Sequence, residues 1–230
     1  MIKEETNIYK EGQVLLVNKP LDWTSFNVVK KVNYLLKGVK VGHAGTLDPL
    51  ATGLLILCTG KFTKRISEFM AQEKEYTGTF TLGATTLSYD LEMEPINFKD
   101  TSTIDIEKVR MAAAKLTGEI AQVPPAFSAI KKGGQRAYNL ARSGQEVQLE
   151  ARKVTIKEFD ILSLESNIVS FRVVCSTGTY IRSLAQDIGQ LLGCGAHLSS
   201  LCRTRIGSFK LSEALSIAEV EEQIKSLSMG

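Results

Sequence analysis

The chain has 230 residues, 43% of them hydrophobic and 23% charged, which is enough apolar side chain to bury a core as one domain, or one with an appendage. No stretch approaches the roughly 20 apolar residues of a membrane-spanning helix, and the N-terminal MIKEETNIYKEG lacks the basic-then-apolar layout of a secretory leader. A cytoplasmic protein with no membrane partner is expected. Four scattered cysteines without a C-x-x-C pair and only two histidines exclude a disulfide framework and a zinc site read from spacing.

In chain order, GQVLLVNKP predicts a buried strand ended by proline. TSFNVVKKVNYLLKG predicts a helix with Thr24 or Ser25 as cap, an apolar face of Val28, Val29, Val32, Leu35 and Leu36, and a glycine stop. VGHAGTLDPLATGLLILCTG then places Asp48 in a loop of small residues ahead of GLLILCTG, a continuous apolar run that fits a central strand. EYTGTFTLG alternates like a half-buried strand. A polar loop (residues 83 to 104) leads to a helix over Asp105 to Leu116. Strand-like KVTIKEFDILSLE and IVSFRVVCS, a helix over Tyr180 to Leu192 and a helical LSEALSIAEVEEQIKSL complete the chain. Strands mixed irregularly with helices, without internal repeats, predict an α+β fold around one sheet.

The formal net charge of +3 is unevenly placed. From Pro124 to Lys157 the cations Lys131, Lys132, Arg136, Arg142, Arg152, Lys153 and Lys157 face only Glu146 and Glu150, a local balance of +5 that leaves the rest of the chain at −2. One basic segment on an otherwise near-neutral chain is the footprint expected for a polyanion, and equally that of a solvated loop.

The chemistry open to Asp48 narrows by exclusion. A P-loop would need glycine and Ser or Thr where the chain has Leu55 and Phe62. A metal hydrolase would need partners clustered around His43 and Asp48, and a serine triad would need a G-x-S-x-G elbow, which is absent. On residue types alone, Asp48 is either a turn-capping carboxylate or a lone nucleophile or base.

GHAGTLDPLATGLL closely resembles the catalytic motif of the TruB-type tRNA pseudouridine synthases. NKPLDWTS is similar to that family's N-terminal motif, and Tyr76 in EKEYTGTFTLG matches its active-site tyrosine. PPAFSAIKKGGQRAYNLAR resembles its RNA-gripping insertion, CSTGTYIRSLAQDIGQLLG its arginine-bearing motif, and LSSLCRTRIGSF its last core motif. Asp22 stands where the family usually has glycine, and Cys202 where it usually has arginine.

The resemblance implies a pseudouridine synthase fold, with a central mixed or antiparallel sheet flanked by helices. It implies a single catalytic domain over residues 1–230, with a thumb-like RNA-binding insertion at 124–152 and a short helical tail at 210–230 in place of a PUA-type domain. The implied reaction isomerises the uridine at position 55 in the tRNA T-loop without metal or cofactor, acting as a monomer with tRNA as its partner and no protein partner. Asp48 would be the catalytic carboxylate, Arg182 the cation that keeps it ionised, and Tyr76 the ring stacked on the uracil. A carboxylate in a dry pocket takes up a proton unless an opposite charge holds it ionised, which a guanidinium does well. His43 would contact the refolded T-loop, Lys19 and Pro20 would shape the pocket floor, and Leu201 would pack on the uracil. Lys131, Lys132 and Arg136 would grip RNA phosphates. Attack of Asp48 on C1′, attack on C6, and a glycal route in which Tyr76 removes the C2′ proton all remain open, the glycal route being preferred. A synthase acting on other RNA, or a tRNA-folding module using the same surface, are the other readings.

Overall fold

The computed structural model describes residues 8–227 apart from Ala129, Gly133, Gly144, Glu146 and Gln148; the side chains of Lys131, Lys132, Arg136, Asn139, Ala141 and Arg142 also lie outside the described residues. The chain runs α1 (Ile8–Glu11), β1 (Val14–Lys19), α2 (Ser25–Leu35), β2 (Val41–His43), β3 (Ala51–Thr59), a 3-10 turn (Gly60–Arg65), α3 (Ile66–Met70) and β4 (Lys74–Leu82). It continues with α4 (Ile106–Lys115), β5 (Gly118–Gln122), β6 (Lys131–Lys132), β7 (Gln135–Arg136), α5 (Ala137–Arg142), β8 (Arg152–Glu165), β9 (Ile168–Cys175), α6 (Ile181–Leu192), β10 (Ala196–Ile206), β11 (Phe209–Lys210) and α7 (Ile217–Leu227). The fold is α+β, as the sequence pattern predicts. Among the described residues no helix is long and apolar enough to cross a membrane.

Two compact units divide these elements: residues up to Tyr76 with those from Leu201 onward, and Thr77–Ser200. In the first, β3 lies between β1, antiparallel to it, and β10, parallel to it. Successive side chains of a strand point to opposite faces, and here both faces are covered. Leu55 and Leu57 join Val28, Val32, Val220 and Ile224, while Leu54, Ile56 and Cys58 join Ala44, Phe69 and Ile206. That double burial is why GLLILC is continuously apolar. Each such leucine or isoleucine contributes roughly 1.5–3 kcal/mol.

β1 is buried at Leu15, Val17 and Lys19, while Val14 and Leu16 on its other face are half-buried against the second cluster and Asn18 is exposed. Among the described residues its strand neighbour in the sheet order is β3, and its other flank is closed by the backbone pairing of Leu16 and Asn18 with Leu215. Within the expected helical tail, α7 buries Val220 and Ile224 in the same core as α2.

α2 begins at Thr24, whose hydroxyl accepts from the Asn27 N–H while the Asn27 side chain accepts from the Thr24 N–H. This reciprocal cap satisfies two donors that a helix start leaves orphaned. Asp22, in the turn before it, has φ 63°. Aspartate tolerates this left-handed region better than most residues, which accounts physically for its standing where the resembled family uses glycine.

In the second unit the order is β10, β4, β9, β8, β5. Phe80, Phe171 and Phe159 form an aromatic chain with ring centroids 5.7 and 5.9 Å apart. Asp105 caps α4 through the Lys108 N–H, and α6 stops at Gly193 with φ 76°. The 124–152 segment contains a β6–β7 hairpin, pairing Lys131 with Arg136, followed by α5.

Candidate active site

In the first unit, the loop between β2 and β3 presents Asp48, half-buried, three residues before β3 begins. Side chains from elsewhere in that unit hold its backbone. The Ser25 hydroxyl accepts from the Leu47 N–H at 2.8 Å and donates to the Leu47 carbonyl at 3.2 Å. The Lys19 ammonium, with no solvent exposure, donates to the carbonyls of Pro20, Trp23 and Pro49. Arg203, 1% exposed on β10, donates from Nε to the Leu54 carbonyl at 2.8 Å and from its terminal nitrogen to the Gly45 carbonyl at 3.1 Å. The Asp48 carbonyl itself accepts from the Ala51 N–H at 3.1 Å. Gly53, with φ 100°, lets β10 approach: a Cβ there would lie 2.4 Å from the Arg203 carbonyl oxygen.

Two cations are therefore buried against the Asp48 loop, and one of them, Lys19, interacts electrostatically with the half-buried Asp48 carboxylate. Burial pushes the Lys19 ammonium down to about 8, with Asp48 and Asp22 pulling it back up and Arg203 adding to the fall. The pull is mutual, so the ammonium favours the Asp48 anion. His43, on β2, is lowered from its ordinary value by burial and then by the Arg203 charge, partly offset by a hydrogen bond with the Gly45 backbone. Its ring is neutral at pH 7, and its Nδ1 is buried without a hydrogen-bond partner among the described residues.

Of the other residues singled out in this unit, Pro20 follows β1 directly and receives the Lys19 ammonium on its carbonyl. Leu201, half-buried on β10, is paired in register with Ala51 at the start of β3, and its carbonyl accepts from the Thr52 hydroxyl at 3.4 Å. Tyr76, on β4, is 8% exposed.

Arg182 belongs to the second unit, in the first turn of α6, and is 4% exposed. Its guanidinium donates to the carbonyls of Ser88 at 3.2 Å and Phe127 at 3.0 Å, and its Nε lies 3.6 Å from an Asp90 carboxylate oxygen. Sequence reasoning passed over Asp90, which sits in the polar loop. It also passed over Arg203, whose binding to a strand 149 positions away leaves no local signal.

The basic segment is tied to the second unit by the Tyr138 hydroxyl, which donates to Glu92 at 2.8 Å, and by an edge-on contact of Phe127 with Tyr138. The side chains of Lys131, Lys132 and Arg136 lie outside the described residues, so their expected RNA contacts stay an expectation. Among the described residues, no three His, Cys, Asp or Glu side chains are grouped to hold a metal ion.

A model described as TruB family pseudouridylate synthase (N terminal domain) matches residues 32–181, and one described as tRNA pseudouridylate synthase B C-terminal domain matches residues 182–228. A Flavobacterium johnsoniae protein named tRNA pseudouridine synthase B is 53% identical over 224 residues, covering 94% of this chain and 98% of the relative. A Bacteroides fragilis protein of the same name is 53% identical over 222 residues, covering 94% and 95%. Among solved structures, a Cbf5-Nop10-Gar1 complex matches with a TM-score of 0.73 at 31% identity, over 93% of this chain and 54% of that one. An H/ACA RNP bound to a substrate RNA containing 2'-deoxyuridine matches with a TM-score of 0.72 at 27% identity, over 96% and 56%. The chain thus spans about half the length of these solved chains.

Proposed function

The chain belongs to the TruB family of pseudouridylate synthases, and from that premise we propose that it isomerises uridine to pseudouridine at position 55 in the T-loop of tRNA, with Asp48 as the catalytic carboxylate. The reaction cuts the N1–C1′ bond, turns the uracil, and rejoins C1′ to C5; C5 gives up its proton and N1 gains one, so the product has the substrate's atoms. It needs an ionised carboxylate at the sugar and a group that takes up a proton. The proposal assigns the first task to Asp48 and the second to Tyr76 along the glycal route, with the Arg182 guanidinium keeping the reacting carboxylate charged. A target base held in a loop must first leave its stack, at a cost of a few kcal/mol; His43, Lys19, Pro20 and Leu201 are assigned to receiving it, and the thumb-like insertion at 124–152 to gripping the arm.

The observation that carries this reading is the Asp48 loop, whose backbone on either side of the carboxylate is fixed by Ser25 and two buried cations, Lys19 and Arg203, with the Lys19 charge acting on Asp48. A residue that merely capped a turn would not need that surrounding charge. Relatives named tRNA pseudouridine synthase B support tRNA as the substrate. The test incubates an unmodified tRNA transcript with the protein and maps pseudouridine by carbodiimide primer extension. A single stop in the T-loop is expected, absent with Asp48→Asn, whose amide is neither nucleophile nor base, although that variant still binds tRNA. Product at another position sinks the site assignment, and product from the Asn variant sinks Asp48.

A further inference from the structure

We propose that an open groove on the outer face of α2 is a second RNA-binding site, in which Trp23 and Tyr34 stack an unpaired nucleobase of the substrate RNA and Lys30 meets its phosphate. The inference rests on the RNA-modifying reading above. The groove, about 390 Å³, is lined by Asp22, Trp23, Asn27, Lys30, Lys31 and Tyr34. Asn27, Lys30, Lys31 and Tyr34 stand at i, i+3, i+4 and i+7, so helical geometry puts them on one face, while Val28 and Val32 bury the other in the core. Trp23 enters just ahead of the helix cap.

Two features make this face a binding surface. Tyr34 is 79% exposed and Trp23 half-buried, two large aromatic side chains bordering one open groove. Base–aromatic stacking accepts any nucleobase and is the common device by which proteins hold single-stranded RNA. The cations differ in availability: Lys31 is engaged with Glu221 at 2.7 Å, whereas Lys30 is exposed and has no ion-pair partner among the described residues. One free ammonium beside two rings matches one nucleotide, a base with its phosphate.

The groove is also continuous with the Asp48 loop through main chain in the same unit. The Asp22 N–H donates to the Pro49 carbonyl at 3.0 Å, and the Lys19 ammonium that holds Pro49 also holds the Trp23 carbonyl. The left-handed turn at Asp22 fixes where Trp23 departs from that contact. An RNA strand whose uridine reaches Asp48 can therefore lay a neighbouring unpaired nucleotide against α2.

Trp23 is the chain's single tryptophan, so its fluorescence reports this groove without labelling. Titration of the full chain with an unmodified tRNA transcript is expected to quench it, saturating together with binding measured on filters. Tyr34→Ala should weaken tRNA binding roughly 5- to 150-fold, the range of one lost base–aromatic stack, and Tyr34→Phe should restore it. Because Tyr34 lies largely outside the core, these variants fold. Lys30→Ala should lower the slope of log affinity against log salt by about 0.7, one single-strand phosphate contact. A Trp23 signal unchanged at saturating tRNA, or a Tyr34→Ala affinity equal to that of the wild type, overturns the proposal. The two readings fail separately: pseudouridine formed while Trp23 stays silent removes this site and spares the reaction, and quenching without pseudouridine does the reverse.

Discussion

Replacing Lys19 by methionine removes an ammonium but keeps most of the volume, and it tests a pH dependence that runs in opposite directions for the stability and the activity of the wild type. Burial holds the Lys19 ammonium down to about 8, against an ordinary value of 10.5. Between those two pH values the unfolded chain keeps the proton that the folded chain has released, so the wild type gains stability as pH rises. Over that 2.5-unit interval the gain amounts to about 3 kcal/mol. The full figure applies because the side chain has no solvent exposure. At pH 7 the variant leaves the Pro20, Trp23 and Pro49 carbonyls without their donor, roughly 1–3 kcal/mol each. It also escapes the desolvation of the charge, about 3 kcal/mol, for a net deficit of about 3 kcal/mol. Urea denaturation of both proteins at pH 7, 8, 9 and 10 measures the difference, which should widen towards pH 10. Wild-type turnover should fall over the same range, as the uncharged amine stops supporting the Asp48 anion and gives up one of its donors. A stability difference that is flat from pH 7 to 10 would refute the buried, depressed lysine, and turnover indifferent to pH across 8 would refute its support of Asp48.

Tyr76→Phe keeps the ring and removes the hydroxyl; with Tyr76 as proton acceptor, single-turnover pseudouridine formation is expected to be lost at little change in tRNA affinity, whereas full activity eliminates the glycal route. Burial pushes the Asp187 carboxyl up to about 6, so the folded state binds its proton more tightly than the unfolded state and loses stability as pH rises from about 4 to 6. Asp187→Asn, on α6, should therefore be more stable than the wild type at pH 8 by about 1–2 kcal/mol after allowance for its partial exposure, with the advantage gone at pH 4 in thermal or urea melts.

How much could be read from the sequence depends on whether burial left a pattern. β3 was legible because both of its faces are covered, and α2, α4 and α6 because each repeats apolar residues at helical spacing and starts or stops on a recognisable residue. β10 was not. AHLSSLCRTRI places hydroxyls and two arginines in an eleven-residue strand, and the polar positions are satisfied by tertiary partners: Thr204 by Glu75, Arg205 by Glu73, Arg203 by the carbonyls of Leu54 and Gly45. β5, five residues with a glycine start, and the two-residue strands of the 131–136 hairpin are too short to carry a period. The proposed site residues divide in the same way. Asp48, Tyr76 and Arg182 came through motif resemblance, whereas composition alone left Asp48 between turn residue and nucleophile. Asp90 and Arg203 gain meaning only from the chain's folding, which sets each beside a group far off in sequence.

Lys19 and Arg203 show what the first unit sacrifices for the Asp48 loop. Burying a charge costs several kcal/mol even after relaxation, and at both positions main-chain hydrogen bonds have to offset that cost. Asp48 and Asp22 offset part of that cost for Lys19, and both cations spend donors on main-chain carbonyls. Such bonds fix the backbone without neutralising the charge, and the remaining positive field acts on whatever anion the loop presents. Had either cation been locked into an ion pair, the loop would be held as firmly, but Asp48 would lose the field that favours its ionised form. The depressed Lys19 ammonium and the neutral His43 are the visible cost of this arrangement. Positive charge has been buried beside the proposed catalytic carboxylate, which is the pattern expected of a reactive site rather than of a turn.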